Sequence, residues 1–405
     1  MGDVSRIRVT GPLEPYVSGF VAELVEHGYT PVSAAHQLRL MAHVSRWLAS
    51  RGLGPDDLSP ARVEEFVAVR RAAGYVNYVT PRALAALLEH LRELGVVPPA
   101  DEPAVSEVEE LLGRYCAWLC SERGLAAVTA RNYAVMVRPF LSSRLDATGE
   151  LDLRGLVAGD VLAFVLAECP HRRPGSAKLL VTALRSLLGY LHVEGAIARP
   201  LAPVVPSVAG WRLAGLPRGL GAEQVMALLA SCDLETAVGV RDLAILKLLV
   251  RLGMRRGEVA VLALEDIDWR AGEIVVSGKG SRRERLPLAV DIGDALANYL
   301  RRARPASAEG RAVFVRVKAP HRALSAAGVS QVVIAAGHRA GLGRVNAHRL
   351  RHTTATELLR SGAPLVEIGQ LLRHRSQQTT AIYAKVDRER LRPLARPWPS
   401  LGGVS

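Results

Sequence analysis

Four side chains toward the C-terminal end of this 405-residue chain have types and spacings suited to chemistry on a phosphate. His348 and Arg351 are three residues apart, so they share one face if the segment is helical. A Gly-Ala-Pro break at residues 362–364 separates them from His374 and Tyr383. Attack of a phenol oxygen on a phosphodiester requires cations beside the non-bridging oxygens, a base for the phenol proton and an acid for the departing oxygen. This stretch supplies candidates for most of these roles.

Three further candidates lie upstream. Arg255 and Glu258 belong to the segment Gly-Met-Arg-Arg-Gly-Glu at residues 253–258, and Lys279 lies in a Gly-Lys-Gly turn between two predicted strands. The chain has only five lysines against 47 arginines. A lysine can release its proton near neutral pH when its pKa is lowered, whereas a guanidinium cannot. The choice of lysine at this turn therefore favours a general acid.

The six positions together resemble the signature of the tyrosine recombinase, or phage integrase, family. That signature contains an arginine in a G-x-R-x-x-E segment, a lysine in a β-hairpin, H-x-x-R, a later His or Trp, and a tyrosine. The resemblance covers about residues 218–390 and fills all six positions: Arg255, Lys279, His348, Arg351, His374 and Tyr383.

The resemblance implies a role for each position. Tyr383 would be the nucleophile, and Lys279 would protonate the leaving 5′-oxygen. His348 would exchange a proton with the tyrosine hydroxyl, and His374 would bind the phosphate or position Tyr383. The two arginines would hold the non-bridging oxygens: Arg255 and Arg351.

Two neighbouring residues have less definite roles. Glu258 would orient an arginine from behind the site, although an ordinary ion pair three residues along a helix fits equally well. His352 adjoins the site in sequence but is expected to point elsewhere on the helix, as a structural residue.

Composition points to a polyanion partner. Residues after position 210 carry 31 basic and 17 acidic side chains, whereas the two charge types nearly balance before it. Double-stranded DNA is the expected partner, and an arginine-rich solvated surface is the alternative. No apolar run approaches 18 residues and no secretory signal is visible, so we expect a cytoplasmic protein without a membrane span. The four cysteines are expected to be reduced and structural.

Helical periodicity dominates the first 200 residues, and the second hundred repeats the first. Val63, Phe66 and Val67 align with Val161, Phe164 and Val165, for example. The predicted fold is mainly α with a small antiparallel β-sheet, and the chain is expected to contain five segments. These are a helical SAM-like module at 1–100, a helical core-binding domain at 101–200, a linker at 201–217, a mixed α/β catalytic domain at 218–390 and a tail at 391–405.

The resemblance implies a DNA clamp formed by the core-binding and catalytic domains. It also implies a homotetramer on two DNA recombination sites, with accessory recombinases or DNA-bending proteins as further partners. The first module could bind additional arm sites or contact protein. Basic side chains expected to contact phosphates lie in the second module and beside the hairpin turn: Arg131, Arg138, Arg172, Arg173, Lys178, Arg282 and Arg283.

The expected function is site-specific recombination through a 3′-phosphotyrosine and a Holliday junction, for integration of a mobile element. Neither a metal nor another cofactor is expected, because the covalent intermediate conserves the phosphodiester energy. Two alternatives remain. One is a type IB topoisomerase that nicks and reseals a single strand, and the other is a DNA-binding accessory protein with an inactive site.

Overall fold

The computed structural model describes residues 7–98, 106–146, 148–209, 219–278, 283–308 and 310–373, together with Thr380. These residues form two compact units. One contains residues 7–98 and the described residues from 219 onward, and the other contains residues 106–209. The fold is mainly helical with one three-stranded antiparallel sheet, which confirms the predicted fold class.

The described residues of the first module, 7–98, form four α-helices. Thr30 and Ser59 cap two of them, and each is followed by a proline whose fixed φ suits the first helical turn. Phe20, Trp47 and Phe66 are central members of their common core. The helices are α1 (Val17–Glu26), α2 (Pro31–Ala49), α3 (Pro60–Ala72) and α4 (Ala85–Glu93).

In the second module, the residues that the structure describes also form four α-helices, around a core that includes Tyr115 and Phe140. The repeat positions Val161 and Val165 are buried, as are Val63 and Val67 of the first module. The helices are α5 (Glu107–Ser121), α6 (Ala127–Ser142), α7 (Ala158–Glu168) and α8 (Pro174–Val193).

The first half of the predicted linker packs onto this second module. Arg185 of α8 donates through Nε and Nη2 to the carbonyl oxygen of Val205, at 3.2 and 2.7 Å, and Val205 itself is buried. Residues 201–209 thus belong to the second unit, and residues 210–217 of the linker lie outside the described part of the chain.

The part of the chain after residue 219 forms the largest core, around helix α10, which is buried along most of its length. Its helices and strands are α9 (Ala222–Ala230), α10 (Ala237–Arg251), α11 (Arg256–Ala260), β1 (Ile267–Asp268), β2 (Glu273–Ser277), β3 (Arg283–Pro287), α12 (Val290–Arg302), α13 (Ala326–Arg339), α14 (Ala347–Arg360) and α15 (Leu365–Leu371).

The sheet is a meander in the order β1-β2-β3, with Ile274 paired to both Ile267 and Leu286. Ile274 and Val276 are buried while their neighbours along β2 are only partly buried, as expected for a strand with one face on the core. Strand β1 has only two residues, because residues 264–266 before it form a 3-10 turn.

Helix α14 is fixed to its neighbours by threonine hydroxyls. Thr354 Oγ1 donates to the carbonyl oxygen of Val250 in α10 at 2.7 Å, and Thr353 Oγ1 accepts from the N–H of Leu220 at 2.8 Å. Asn346 caps the first turn by accepting from the N–H of Arg349 at 2.9 Å. Among the described residues, no helix is long and apolar enough to cross a membrane.

We predict that Thr354→Val lowers the free energy of unfolding by about 1–2 kcal/mol, because the buried carbonyl of Val250 loses a donor. Thr356→Val is the matched control on the same helix. Thr356 is also buried, but its hydroxyl has no hydrogen-bond partner within the described chain, so its replacement should be neutral or stabilising. Urea unfolding of both variants measures the difference, and equal losses would contradict the role of the Thr354 bond.

Candidate active site

Arg255 lies at the start of α11 rather than at the end of α10. Helix α10 ends at Arg251, and Gly253 then takes a left-handed φ of 56° that turns the chain. Arg255 is the extended residue that precedes α11. Its backbone N–H and its Nη1 both donate to the carboxylate of Glu258, at 2.8 and 2.6 Å. Its side chain remains 42% exposed, so part of the guanidinium faces outward.

Glu258 is buried and is shared by two arginines. Its second oxygen accepts from Nη2 of Arg373 at 2.7 Å, and both of these side chains are almost fully buried. Burial acts to raise the pKa of this carboxyl, but Arg373 and then Arg255 outweigh it and lower the pKa below the ordinary value for glutamate. Glu258 is therefore a carboxylate that holds two guanidinium groups, which supports the predicted orienting role.

Arg373 is a member of the site that sequence reasoning missed. Its φ of 55° is unusual for a residue other than glycine, and its side chain turns inward, where Nη1 donates to the carbonyl oxygen of Leu371 at 2.8 Å. In the sequence, the only sign of Arg373 is its position directly before the expected His374 and directly after two leucines at the end of α15. A charged residue there usually faces solvent, so its burial could not be inferred from position alone.

Arg351 is buried on α14, and it joins the two loops that flank the site. Its Nη1 donates to the carbonyl oxygen of Gly253 at 2.6 Å, and its Nη2 donates to that of Leu372. Arg255 Nη2 donates to the next carbonyl along, that of Arg373, at 3.1 Å. The two predicted phosphate ligands thus converge on consecutive carbonyls immediately before His374.

His348 lies near both arginines. Burial lowers its pKa below the ordinary value, and the charges of Arg351 and Arg255 lower it further, so the imidazole is neutral near pH 7. The expectation that His352 points away from the site was wrong. Its ring meets that of His348 edge to face at 4.3 Å between centroids, because residues four apart on a helix share a face. Burial, His348 and Arg351 lower the pKa of His352 to about 4.

The other predicted catalytic residues are not part of the described chain. Lys279, His374 and Tyr383 fall outside it, as do Arg282 and the tail at 391–405. The flanking elements are described. Strands β2 and β3 flank the segment that contains Lys279 in the sequence, and Thr380 is buried close to Gly369 of α15.

Several predicted phosphate contacts already have acidic partners. Arg138 pairs with Glu109, and Arg172 pairs with Glu168 at 2.6 Å. Arg283 pairs with Asp266 at 2.8 Å, although its side chain remains 62% exposed. Three other predicted contacts are exposed on the second module: Arg131, Arg173 and Lys178.

Comparison with known proteins finds relatives along the whole chain. The model of the phage integrase family matches residues 218–390. A Sinorhizobium fredii (strain NBRC 101917 / NGR234) protein with the provisional name integrase/recombinase y4rA is 42% identical over 396 residues, which is 96% of this chain and 95% of that protein. The chain belongs to the phage integrase family. Tyrosine recombinase XerD of Listeria monocytogenes (strain EGD-e) is 31% identical over 290 residues, or 70% of this chain and 97% of XerD. The enzyme class of the present chain is thus that of the site-specific tyrosine recombinases.

Solved structures show the same fold. The XerH recombinase bound to a palindromic difH substrate, in a post-cleavage complex, superposes with a TM-score of 0.57 and 22% identity, covering 72% of this chain and 97% of that one. A λ integrase tetramer bound to a Holliday junction gives a TM-score of 0.52 and 18% identity, covering 78% of this chain and 88% of that one.

We predict that Glu258→Gln lowers the free energy of unfolding of this integrase by about 3 kcal/mol, because the buried guanidinium of Arg373 loses its charge partner. Glu265→Gln is the control. The pair that Glu265 forms with Arg311 is exposed, so its loss should cost less than about 1 kcal/mol. Chemical denaturation measures both variants. A loss for Glu258→Gln no larger than the control would show that the shared carboxylate is unimportant to the site.

Proposed function

We propose that this chain cleaves and rejoins DNA at specific sites through a 3′-phosphotyrosyl intermediate. The observation that carries the proposal is the convergence of Arg255, Arg351 and neutral His348 beside the backbone that leads into His374. Two guanidinium groups offer planar donors to a phosphate that gains negative charge in the transition state. The imidazole, which is neutral near pH 7, can accept a proton at the same place.

The first strand transfer follows from these roles. The Tyr383 oxygen forms a bond to phosphorus as the bond to the 5′-oxygen breaks, and the phenol proton passes to His348. Lys279 gives a proton to the departing 5′-oxygen, while His374 adds a hydrogen bond to the phosphate or positions Tyr383. In the second step a 5′-hydroxyl attacks the phosphotyrosine and releases the enzyme, so the number of phosphodiester bonds is unchanged.

Exchange of both strands between two duplexes requires two such rounds. The product of the first round is a Holliday junction, and the second round resolves it. We propose a homotetramer on two DNA sites for this process, with accessory recombinases or DNA-bending proteins as possible partners. The solved λ integrase tetramer on a Holliday junction, which shares this fold, supports the assembly. In this scheme the second module contacts the duplex through its exposed basic side chains.

Integration of a mobile element is the proposed process. XerD matches only 70% of this chain although 97% of XerD is aligned, so this chain contains an additional segment about as long as its first helical module. The S. fredii relative, named an integrase/recombinase, aligns over nearly the full length. An additional module is consistent with contacts beyond those of a minimal two-domain recombinase.

We predict that Tyr383→Phe abolishes covalent adducts with a nicked suicide substrate while DNA affinity changes less than about twofold, because only the nucleophilic oxygen is removed. Tyr16→Phe, in the first module, is the control and should retain adduct formation. Denaturing gel electrophoresis detects the adduct. Adducts that persist in Tyr383→Phe would assign the nucleophile elsewhere, and none with the unmodified chain would favour an inactive accessory protein.

We predict that Lys279→Ala slows cleavage of ordinary DNA by about 10²- to 10⁴-fold and that a 5′-phosphorothiolate substrate restores the rate, because sulfur leaves without protonation. Lys318→Ala is the matched control and should behave like the unmodified chain on both substrates. Single-turnover cleavage measures the rates. A defect of equal size on both substrates would show that another group supplies the proton.

A further inference from the structure

A basic pocket of about 660 Å³ lies on the first module, far along the chain from the catalytic residues. Helix α2 contributes four residues that share one face, because they are spaced by three and four. Helix α3 contributes Arg70 from its last turn, and the loop that follows contributes the rest. The lining residues are His36, Arg39, Leu40, His43, Arg70, Tyr75, Asn77 and Tyr78.

Arg70 is the unusual member of this pocket. It is only 8% exposed, and within the described chain Nε and Nη1 have no hydrogen-bond partner. Nη2 donates to the carbonyl oxygen of Asn77 at 3.3 Å, and the guanidinium carbon lies 4.0 Å from the centre of the Tyr75 ring. Buried guanidinium groups are ordinarily paired with an anion, because an uncompensated buried charge is costly.

The surroundings of Arg70 reinforce a preference for anions. Within the part of the chain that the structure describes, no carboxylate lines the pocket, whereas the exposed Arg39 adds a second cation. His43 lies on the wall with its ring 5.5 Å from that of Tyr75, and burial followed by the charges of Arg70 and Arg46 lowers its pKa. The first hundred residues contain ten basic and ten acidic side chains, so this positive pocket is a local feature of a neutral module.

We propose that this pocket binds a phosphodiester of the DNA backbone, with the exposed Arg39 as the ligand of its non-bridging oxygens and the buried Arg70 supplying positive charge behind it. Tyr75, which is 43% exposed, and Tyr78 also line the pocket, and in the proposed complex they pack against the adjoining deoxyribose. The inference rests on the proposed function, because DNA is the substrate of that reaction. It deepens that function by assigning the first module a DNA contact separate from the catalytic site.

The test measures binding of the full chain to a long mixed-sequence duplex by fluorescence anisotropy across a salt series. We expect Arg39→Gln to weaken binding by up to about tenfold and to reduce the slope of log K against log salt by about 0.9, the value for one lost phosphate contact. Arg70→Gln should also weaken binding, with thermal unfolding confirming that the variant is folded.

Arg62→Gln is the matched control, because Arg62 lies on α3, outside the pocket lining, and pairs with Glu65 at 2.7 Å. Its slope should equal that of the unmodified chain. An unchanged slope in Arg39→Gln would overturn the proposal. A second result would also overturn it. If inorganic phosphate or a mononucleotide stabilises the unmodified chain, and Arg39→Gln abolishes that stabilisation but leaves DNA binding intact, the pocket binds a small anion instead of DNA.

A suicide-substrate assay separates this inference from the proposed function. At saturating DNA, Arg39→Gln should still form the covalent adduct, because the proposed catalytic residues are unchanged. Loss of the salt-dependent contact with retained adduct formation supports the pocket. Failure of the unmodified chain to form adducts would count against the recombinase chemistry and would leave the binding measurement interpretable.

Discussion

The carboxylate of Glu258, buried between Arg255 and Arg373, is the interaction on which the described site depends. One oxygen binds the side chain of Arg255, and the other binds Arg373 and the Arg255 backbone. Burial of these charged groups costs free energy. The cluster is stable because both carboxylate oxygens accept hydrogen bonds and the opposite charges compensate. Its effect is to fix Arg255 while leaving part of that guanidinium outward, which is what a phosphate ligand requires.

Arginine side chains also hold the backbone of the site. Arg351 and Arg255 donate to the carbonyls of Leu372 and Arg373, so the segment that enters His374 is held by the groups proposed to bind the phosphate. The arginines therefore have a structural role beside the proposed chemical one, and their geometry is set by α14 and by the turn at Gly253. A Cβ at Gly253 would lie 2.5 Å from Cδ2 of Leu372, and its φ of 56° is one that L side chains rarely adopt. Close approach of the two loops thus depends on glycine.

Sequence reasoning identified the components that depend on local chemistry. Helix periodicity is encoded by neighbouring residues, so the fold class and the two helical modules could be predicted. Arg255, Arg351 and His348 were found because their types and spacing are specific. Arg373 and the ring contact of His352 were not. The first depends on a left-handed backbone and a partner 115 residues away, and the second on which face of α14 is covered.

Charge illustrates the same limit at larger scale. The residues after position 210 carry the excess of basic side chains, but formal charges do not say which arginines are available to a ligand. Three of the arginines predicted to contact phosphates form ion pairs with carboxylates, so a phosphate must compete with a carboxylate at each. These pairs are Arg138–Glu109, Arg172–Glu168 and Arg283–Asp266. The pocket around Arg70 shows the converse. It lies in a module whose charges balance, and it is basic because the fold places its acidic residues elsewhere. The charge of a sequence therefore indicates the chemical class of the partner, whereas the fold determines where that partner can bind.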